Sequence, residues 1–221
     1  MKHRFFQKSE SEQKKTLLFL GGFLFLFCVI VVLAAYLTEI YLLGGLIPIA
    51  ILIAAPFFDL PSGKKRGSFI YYSPFLITEP KKDGLVIFHG GTLFDYYYTL
   101  SPDIEGRERI RYVLYGYVLG FLRFISEHEK SDSEDVTIRG TSYIINPRTA
   151  SRFGLEPVQK DFLQILILLF NYIPLTLSNS FLKQKLSFPK LFNVQTYEGN
   201  LEQLAAQKDE LLLLKRRLQP D

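Results

Sequence analysis

Residues 17–37, with the sequence LLFLGGFLFLFCVIVVLAAYL, decide the architecture of this chain. They include no charged residue, and at about 1.5 Å of rise per residue their helix can cross about 30 Å of hydrocarbon. A secretory signal would have a shorter apolar core, about 7 to 15 residues, followed by a small-residue cleavage site. Here a second uncharged segment follows, IYLLGGLIPIAILIAAPFF at residues 40–58. The two segments predict a transmembrane α-helical hairpin over residues 16–60, turning at Thr38 and Glu39.

The charges that flank the hairpin predict its orientation, because Lys and Arg are retained on the cytoplasmic side. Residues 1–15 form a basic N-terminus and residues 61–67 a basic linker, whereas the connecting turn carries only Glu39. We therefore expect a multi-pass protein of the cell membrane, with its N-terminus and main domain in the cytoplasm. Bases beside anionic lipid also account for the net charge of +4, so the lipid bilayer, and no nucleic acid, is the predicted partner.

Two pairs of glycines lie in the predicted spans. Gly21 and Gly22 belong to the first span, and Gly44 and Gly45 to the second. Small residues let transmembrane helices approach closely. We therefore expect these glycines to pack the two spans against each other, in preference to forming a lipid or ligand site.

Composition and motifs exclude several other classes of protein. Of the 221 residues, 48% are hydrophobic and 15% aromatic, which is enough to build a core and excludes global disorder. Cys28 is the only cysteine, so one chain can form neither a disulfide scaffold nor a cysteine-based zinc site. The sequence has no P-loop, dinucleotide fingerprint or nucleophile elbow, and its histidines lack metal-ligand spacing. No cofactor and no metal are predicted.

Residues 68–197 predict a cytoplasmic α+β domain with a small, mainly antiparallel sheet. Aromatic and β-branched residues predict strands at residues 68–77, 85–88, 93–100 and 136–145, and Pro147 begins a short helix that stops at Gly154. Apolar residues at helical spacing predict a long amphipathic helix over 105–129, with Arg109 among its largely polar-side arginines. Gly116 and Gly120, one turn apart in this helix, indicate close approach of a neighbouring element.

Residues 162–182 are uncharged, and length alone would allow them to form a third transmembrane helix. Pro174 interrupts the segment and its distal end is polar, so we favour a buried or membrane-surface segment over a span. Residues 198–221 predict a C-terminal amphipathic helix. This helix or the 162–182 segment would contact a membrane protein partner.

The residues best suited to chemistry follow the strand at 85–88. His89 precedes two glycines, and a histidine at a strand end can act as a general base or border a backbone anion cradle. The same residues can form a hairpin turn, which is the interpretation we favour. Should the chain be an enzyme, the candidate catalytic residues are His89, Asp95 and Arg139.

One segment resembles a known family. In residues 136–155 a strand is followed by Asn146, Ala150 and then Phe153-Gly154-Leu155, which resembles the late strand, helix and glycine segment of GNAT-type N-acetyltransferases. The resemblance implies a return into a final strand and an acyl transfer from acetyl-CoA. The spacing from Ala150 to Gly154 is shorter than in that family. The glycine-rich loop that would bind the pyrophosphate at a helix start is missing.

The sequence therefore favours a non-enzymatic integral membrane protein whose cytoplasmic α+β domain engages a membrane protein partner or a lipid surface. Two alternatives stay open. The chain could be a membrane-tethered transferase, or a three-span transport component if residues 162–182 cross the membrane and polar side chains there line a pathway.

Overall fold

The computed structural model describes residues 1–129, 136–142, 147–158, 162–190 and 194–220, and of residues 162–165 it describes the backbone. The end of the predicted strand at 136–145 and Asn146 lie outside the described residues. Two long apolar helices at the N-terminus are followed by an α+β region.

The two long helices are α1, Glu10–Thr38, and α2, Leu46–Arg66, joined through a short 3₁₀ turn at Tyr41–Gly45. Within the described ranges, two segments are long and apolar enough to cross a membrane, α1 and Tyr41–Arg66, the second of which joins the 3₁₀ turn to α2. α1 begins at a capping box between Ser9 and Glu12. α2 continues through residues 61–66, where the sequence predicted a linker, and ends at Gly67 with φ of 75°.

Of the four glycines, Gly21 alone packs against the other long helix, so the prediction is wrong for Gly22, Gly44 and Gly45. A Cβ placed on Gly22, Gly44 or Gly45 would meet no atom of the described residues within 4 Å. On Gly21 it would meet only the Phe58 ring, at the ordinary contact distance of 3.8 Å. A cleft lies beside Gly21, Gly22 and Phe58.

Within the described residues, six strands form one mixed sheet in the order β1-β2-β3-β4-β6-β5. The pair β3 and β4 is parallel and the other neighbours are antiparallel, so the sheet is mainly antiparallel. The predicted strand at 68–77 is two strands, because the chain turns at Pro74. The strands are β1 Ile70–Ser73, β2 Leu76–Thr78, β3 Leu85–Gly90, β4 Thr137–Ser142, β5 Glu156–Val158 and β6 Gln195–Asn200.

Residues 93–100 form a helix, α3 (Leu93–Thr99), and the predicted strand there is wrong. The reason is local: Thr92 and Asp95 make a capping box that starts a helix, and this outweighs the strand preference of three consecutive tyrosines. Helical geometry then sends these tyrosines in different directions. Tyr96 is buried whereas Tyr97 is half exposed.

The long helix predicted over 105–129 is confirmed as α4, Gly106–His128. A Cβ on Gly116 would lie 2.5 Å from the Phe75 ring, and one on Gly120 would lie 2.6 Å from Cβ of Leu76. Both glycines therefore allow the close approach that their spacing predicted. α4 covers one face of the sheet, and the main core lies between them.

The chain after β4 completes this layer. The short helix predicted after Pro147 is α5, Pro147–Ser151, and Gly154, with φ of 69°, turns the chain toward β5. The predicted helix at 198–221 begins later, because Asn200 still pairs in β6 and then caps α8, Leu201–Ala206. The final helix is α9, Lys208–Leu218, which packs on α4.

The uncharged segment at 162–182 is divided into two helices. They are α6, Phe162–Phe170, with 9 residues, and α7, Tyr172–Lys183, with 12 residues. At about 1.5 Å per residue, neither helix alone reaches across about 30 Å of hydrocarbon. α7 packs against α2, α3 and α4, so it lies where the domain meets the long apolar helices.

Candidate functional site

The three candidate catalytic residues do not form one site. His89 on β3 pairs with Glu79 at 2.9 Å, and Arg139 on β4 pairs with Glu198 at 2.6 Å. His89 and Arg139 alternate along their strands with the core residues Phe88 and Ile138, so they lie on the sheet face opposite α4. Asp95 lies on α3 and has a separate set of partners.

Asp95 is fully buried, with 0% of its surface exposed. Its Oδ2 accepts hydrogen bonds from the backbone N–H of Thr92 at 2.8 Å and from the Thr92 hydroxyl at 3.0 Å. Its Oδ1 accepts a hydrogen bond from the Tyr71 hydroxyl at 3.1 Å and lies 3.4 Å from Nε2 of His3. Both carboxylate oxygens are therefore occupied, one by the helix cap and one by contacts distant in sequence.

His3 is buried beside this carboxylate in a set of aromatic rings. Its ring centroid lies 4.4 Å from that of Phe6, 4.9 Å from that of Phe94 and 5.9 Å from that of Tyr98. In the part of the chain that is described, neither ring nitrogen has a hydrogen-bond partner. A buried imidazole is costly without partners, so the contact with Asp95 is the electrostatic interaction available to His3.

His3 belongs to an N-terminal strap, residues 1–8, that is docked onto the domain. The backbone N–H of Arg4 donates to the Tyr98 carbonyl at 2.9 Å. The Arg4 guanidinium donates to the carbonyls of Tyr97, Tyr98 and Leu100, and so covers the end of α3. Phe5 is fully buried in a cluster with Leu60 of α2, Ile77 of β2 and Phe94 of α3. The strap thus fastens α2 to the domain.

Asp95, His3 and Tyr71 form a buried polar cluster, which we call the clamp, where the strap meets the domain. Burial, together with the Asp95 carboxylate, raises the pKa of Tyr71 well above its ordinary value, so Tyr71 stays protonated and donates to Asp95. A carboxylate, an imidazole and a phenol could in principle transfer protons. Here the Asp95 and His3 side chains are covered by the strap and by α3, which leaves no exposed reacting group.

A buried arginine of α4 holds α7 against the domain. Arg109 of α4 is 5% exposed, although its spacing placed it on the polar side of the helix. Its guanidinium donates to the Phe181 carbonyl of α7 at 2.8 Å and to the Ile104 carbonyl at 2.9 Å, with further bonds to Ser101 and Pro102. Carbonyls supply its partners, which is why a buried cation is tolerated here.

A group of apolar side chains on α6, on α7 and just after α7 is exposed, and we call this group the α6–α7 apolar surface. Phe170 is 66% exposed and Leu186, just after α7, is 74% exposed. The stacked rings of Tyr172 and Phe188, with centroids 6.5 Å apart, hold the segment after α7 against its first turn. The members of the surface are Leu166, Ile167, Leu169, Phe170, Ile173, Leu177, Leu186 and Phe188.

Sequence reasoning missed His3, Tyr71 and Arg109. The basic residues of the N-terminus indicate a membrane flank, whereas the adjacent Phe5 and Phe6 are the signal in the sequence that this segment packs against the domain. Nothing in the spacing of Arg109 distinguishes it from the other arginines of α4. Over the described ranges, no group of three or more His, Cys, Asp or Glu side chains could hold a metal ion.

No protein-family model, curated protein or solved structure matches this chain. The resemblance of residues 136–155 to acetyltransferases therefore stays a prediction, as do the catalytic roles of His89, Asp95 and Arg139.

Proposed function

We propose that this chain is an integral membrane protein whose α1 and α2 cross the bilayer and whose domain lies on the cytoplasmic membrane surface, engaging lipid through the α6–α7 apolar surface. The observation that carries the proposal is this exposed apolar surface, whose side chains lie on α6, on α7 and just after α7, together with the packing of α7 against α2.

The exposure of the two long helices supports the anchor. Leu18, Phe19 and Leu42 are each at least 75% exposed, and of α1 only Val31 and Ala35 are buried. Apolar surface costs about 25 cal/mol for each Å² that faces water. A bilayer removes this cost, and the uncharged segments 17–37 and 40–58, the second of which includes the 3₁₀ turn, match the thickness of its hydrocarbon.

The packing of the end of α2 against the strap and α3 supports a domain held close to the membrane. Leu60 of α2 packs with Phe5 of the strap and Phe94 of α3, and Lys64 lies 3.7 Å from the Phe6 ring centroid. The domain therefore follows the anchor with little freedom to move away. A flexible linker would have allowed it to extend into the cytoplasm.

The α6–α7 apolar surface supports contact with lipid. The surface includes side chains of α7, the helix that contacts α2. Two exposed lysines, Lys185 and Lys190, lie in the segment that follows α7. Apolar side chains beside lysines are typical of elements that lie in the headgroup region, where each base contributes about 1 kcal/mol at an anionic surface. α7 is held in this position by Arg109.

A tryptophan reporter tests the proposal, because the chain has no Trp of its own. The full chain is reconstituted in vesicles that contain brominated lipid, which quenches nearby Trp fluorescence. We expect strong quenching for Phe170→Trp on α6 and for Phe25→Trp on α1. Leu213→Trp on α9, 53% exposed in the native chain, is the matched control and should stay bright.

The three reporters separate the parts of the proposal. If Phe170→Trp is as bright as Leu213→Trp while Phe25→Trp is quenched, the domain does not rest on lipid, and a membrane protein partner becomes the better occupant of the surface. If Phe25→Trp is also bright, α1 does not lie in hydrocarbon and the anchor is wrong.

Orientation has its own measurement. In a Cys28→Ser background, a cysteine at Glu39 should react with an impermeant thiol reagent added to intact cells, and one at Gln219 should not. Labelling at Gln219 from outside would contradict the cytoplasmic placement of the domain.

A further inference from the structure

A cleft of about 490 Å³ lies between the first part of α1 and the last part of α2. Its volume is in the range of small-molecule sites. One wall is the Phe58 ring of α2. The remaining lining belongs to α1 and consists of Lys14, Leu17, Leu18, Gly21 and Gly22.

The glycine pair is what opens this cleft. Small residues in spans ordinarily bring two helices into contact, yet a Cβ on Gly22 would reach no described atom within 4 Å. Gly21 faces the Phe58 ring at ordinary contact distance. Gly22 is exposed, and the absence of side chains at these two positions leaves the α1 side of the cleft open beside the Phe58 ring.

The two ends of the cleft differ in character. Lys14 lies at one end, and among the described residues no carboxylate is within ion-pair distance of it. The nearby Lys65 lies 3.8 Å from Glu10, so that pair is largely neutral. From Lys14 the cleft runs to Gly22, which is about 12 Å along the helix at about 1.5 Å per residue.

We propose that this cleft binds one anionic glycerophospholipid, with an acyl chain between Gly22 and Phe58 and the headgroup phosphate at Lys14. The inference rests on the proposed anchor, because only then is the cleft open to lipid. An apolar bottom with a cationic rim complements an acyl chain with an anionic headgroup. A free phosphate would leave the apolar bottom uncovered.

The test uses Phe58→Trp in the full chain, which places a unique fluorophore at the cleft. Vesicles of phosphatidylcholine receive equal mole fractions of either brominated phosphatidylglycerol or brominated phosphatidylcholine. We expect phosphatidylglycerol to bind with an about fivefold preference, the ratio that one lysine contributes at an anionic surface. Leu18→Trp is a second reporter in case the Phe58 variant does not fold.

Matched variants separate a built site from general surface charge. Lys14→Gln should abolish the preference, whereas Lys15→Gln, its exposed neighbour outside the cleft, should retain it. Gly22→Leu should fill the cleft and also abolish the preference. Gly44→Leu, in the turn between the two long helices, should have no effect.

Each result has a distinct meaning. Equal quenching by the two lipids, or an equal loss in Lys14→Gln and Lys15→Gln, would overturn the site and leave the anchor standing. No quenching by either lipid in both reporters would overturn the anchor and the site together.

Discussion

Replacing Asp95 is the sharpest test of the clamp between the strap and the domain. In Asp95→Ala the Tyr71 hydroxyl and the Thr92 N–H lose their acceptor in a buried place. Each unsatisfied buried donor costs about 1 to 3 kcal/mol, so for these two donors we expect a loss of about 2 to 6 kcal/mol in the free energy of unfolding. That is a large part of the about 5 to 15 kcal/mol that stabilises a domain.

Asp95→Asn should cost less, about 1 to 2 kcal/mol. Its amide has the same size, its oxygen can accept from Thr92, and its NH₂ group can donate to the Tyr71 oxygen. We therefore expect Asp95→Ala to have a lower free energy of unfolding than Asp95→Asn. Asp103→Ala is the control, because Asp103 is exposed and bonds only the nearby Ser101 hydroxyl among the described residues.

The assay combines two measurements on the full chain in detergent micelles. Denaturant unfolding followed by circular dichroism reports the free energy of unfolding. Hydrogen exchange of the strap reports docking, since the Arg4 amide is bonded to Tyr98. Exchange of the strap should accelerate in Asp95→Ala and stay slow in Asp103→Ala. A loss of less than about 2 kcal/mol in Asp95→Ala, or exchange of the strap as slow as in the native chain, would contradict the structural role given to Asp95.

Three further predictions concern packing, a buried cation and pH. Gly120→Ala should lower stability by about 1 to 3 kcal/mol, because its Cβ would lie 2.6 Å from Cβ of Leu76. Gly22→Ala is the control and should not lower stability, because no described atom lies within 4 Å of its Cβ. Thermal unfolding of the two variants checks this difference. Arg109→Lys should lose about 2 kcal/mol, because an ammonium cannot reproduce the fork that serves several carbonyls, and exchange of α7 should accelerate. Burial, helped by a nearby carboxylate, raises the pKa of Tyr72 to about 12. The stability that this shift contributes is fully present below pH of about 10, and about 2 to 3 kcal/mol of it is lost as the pH rises toward 12. Between pH 9 and pH 12 the free energy of unfolding of the native chain should therefore fall by about 2 to 3 kcal/mol more than that of Tyr72→Phe.

Much of the architecture could be predicted because it depends on local composition and period. The apolar helices follow from uninterrupted uncharged segments, and α4 follows from apolar residues at helical spacing. Gly116 and Gly120 indicated close packing because glycine is costly in a helix unless something occupies the space beside it. The same logic was wrong for Gly22, since a sequence does not tell whether that space is filled.

The errors in the domain occurred where one interaction outweighed another. At 93–100 a capping box outweighed the strand preference of Tyr96 and its neighbours. At residues 198–200 pairing with β4 and β5 outweighed helical periodicity and delayed α8 until after Asn200. Each outcome depends on free-energy differences of about 1 kcal/mol or on partners distant in the chain, which spacing alone does not contain.

The sequence by itself determined the two apolar helices, the α+β composition of the remainder and the place of its main helix, because hydrophobic length and period act within short stretches of chain. Only the tertiary structure brought His3 to Asp95, buried Arg109 against α7 and opened the cleft beside Gly22. These features join residues far apart in the chain. Their energies arise from burial and from hydrogen bonds across the fold, and these exist only once the chain has folded.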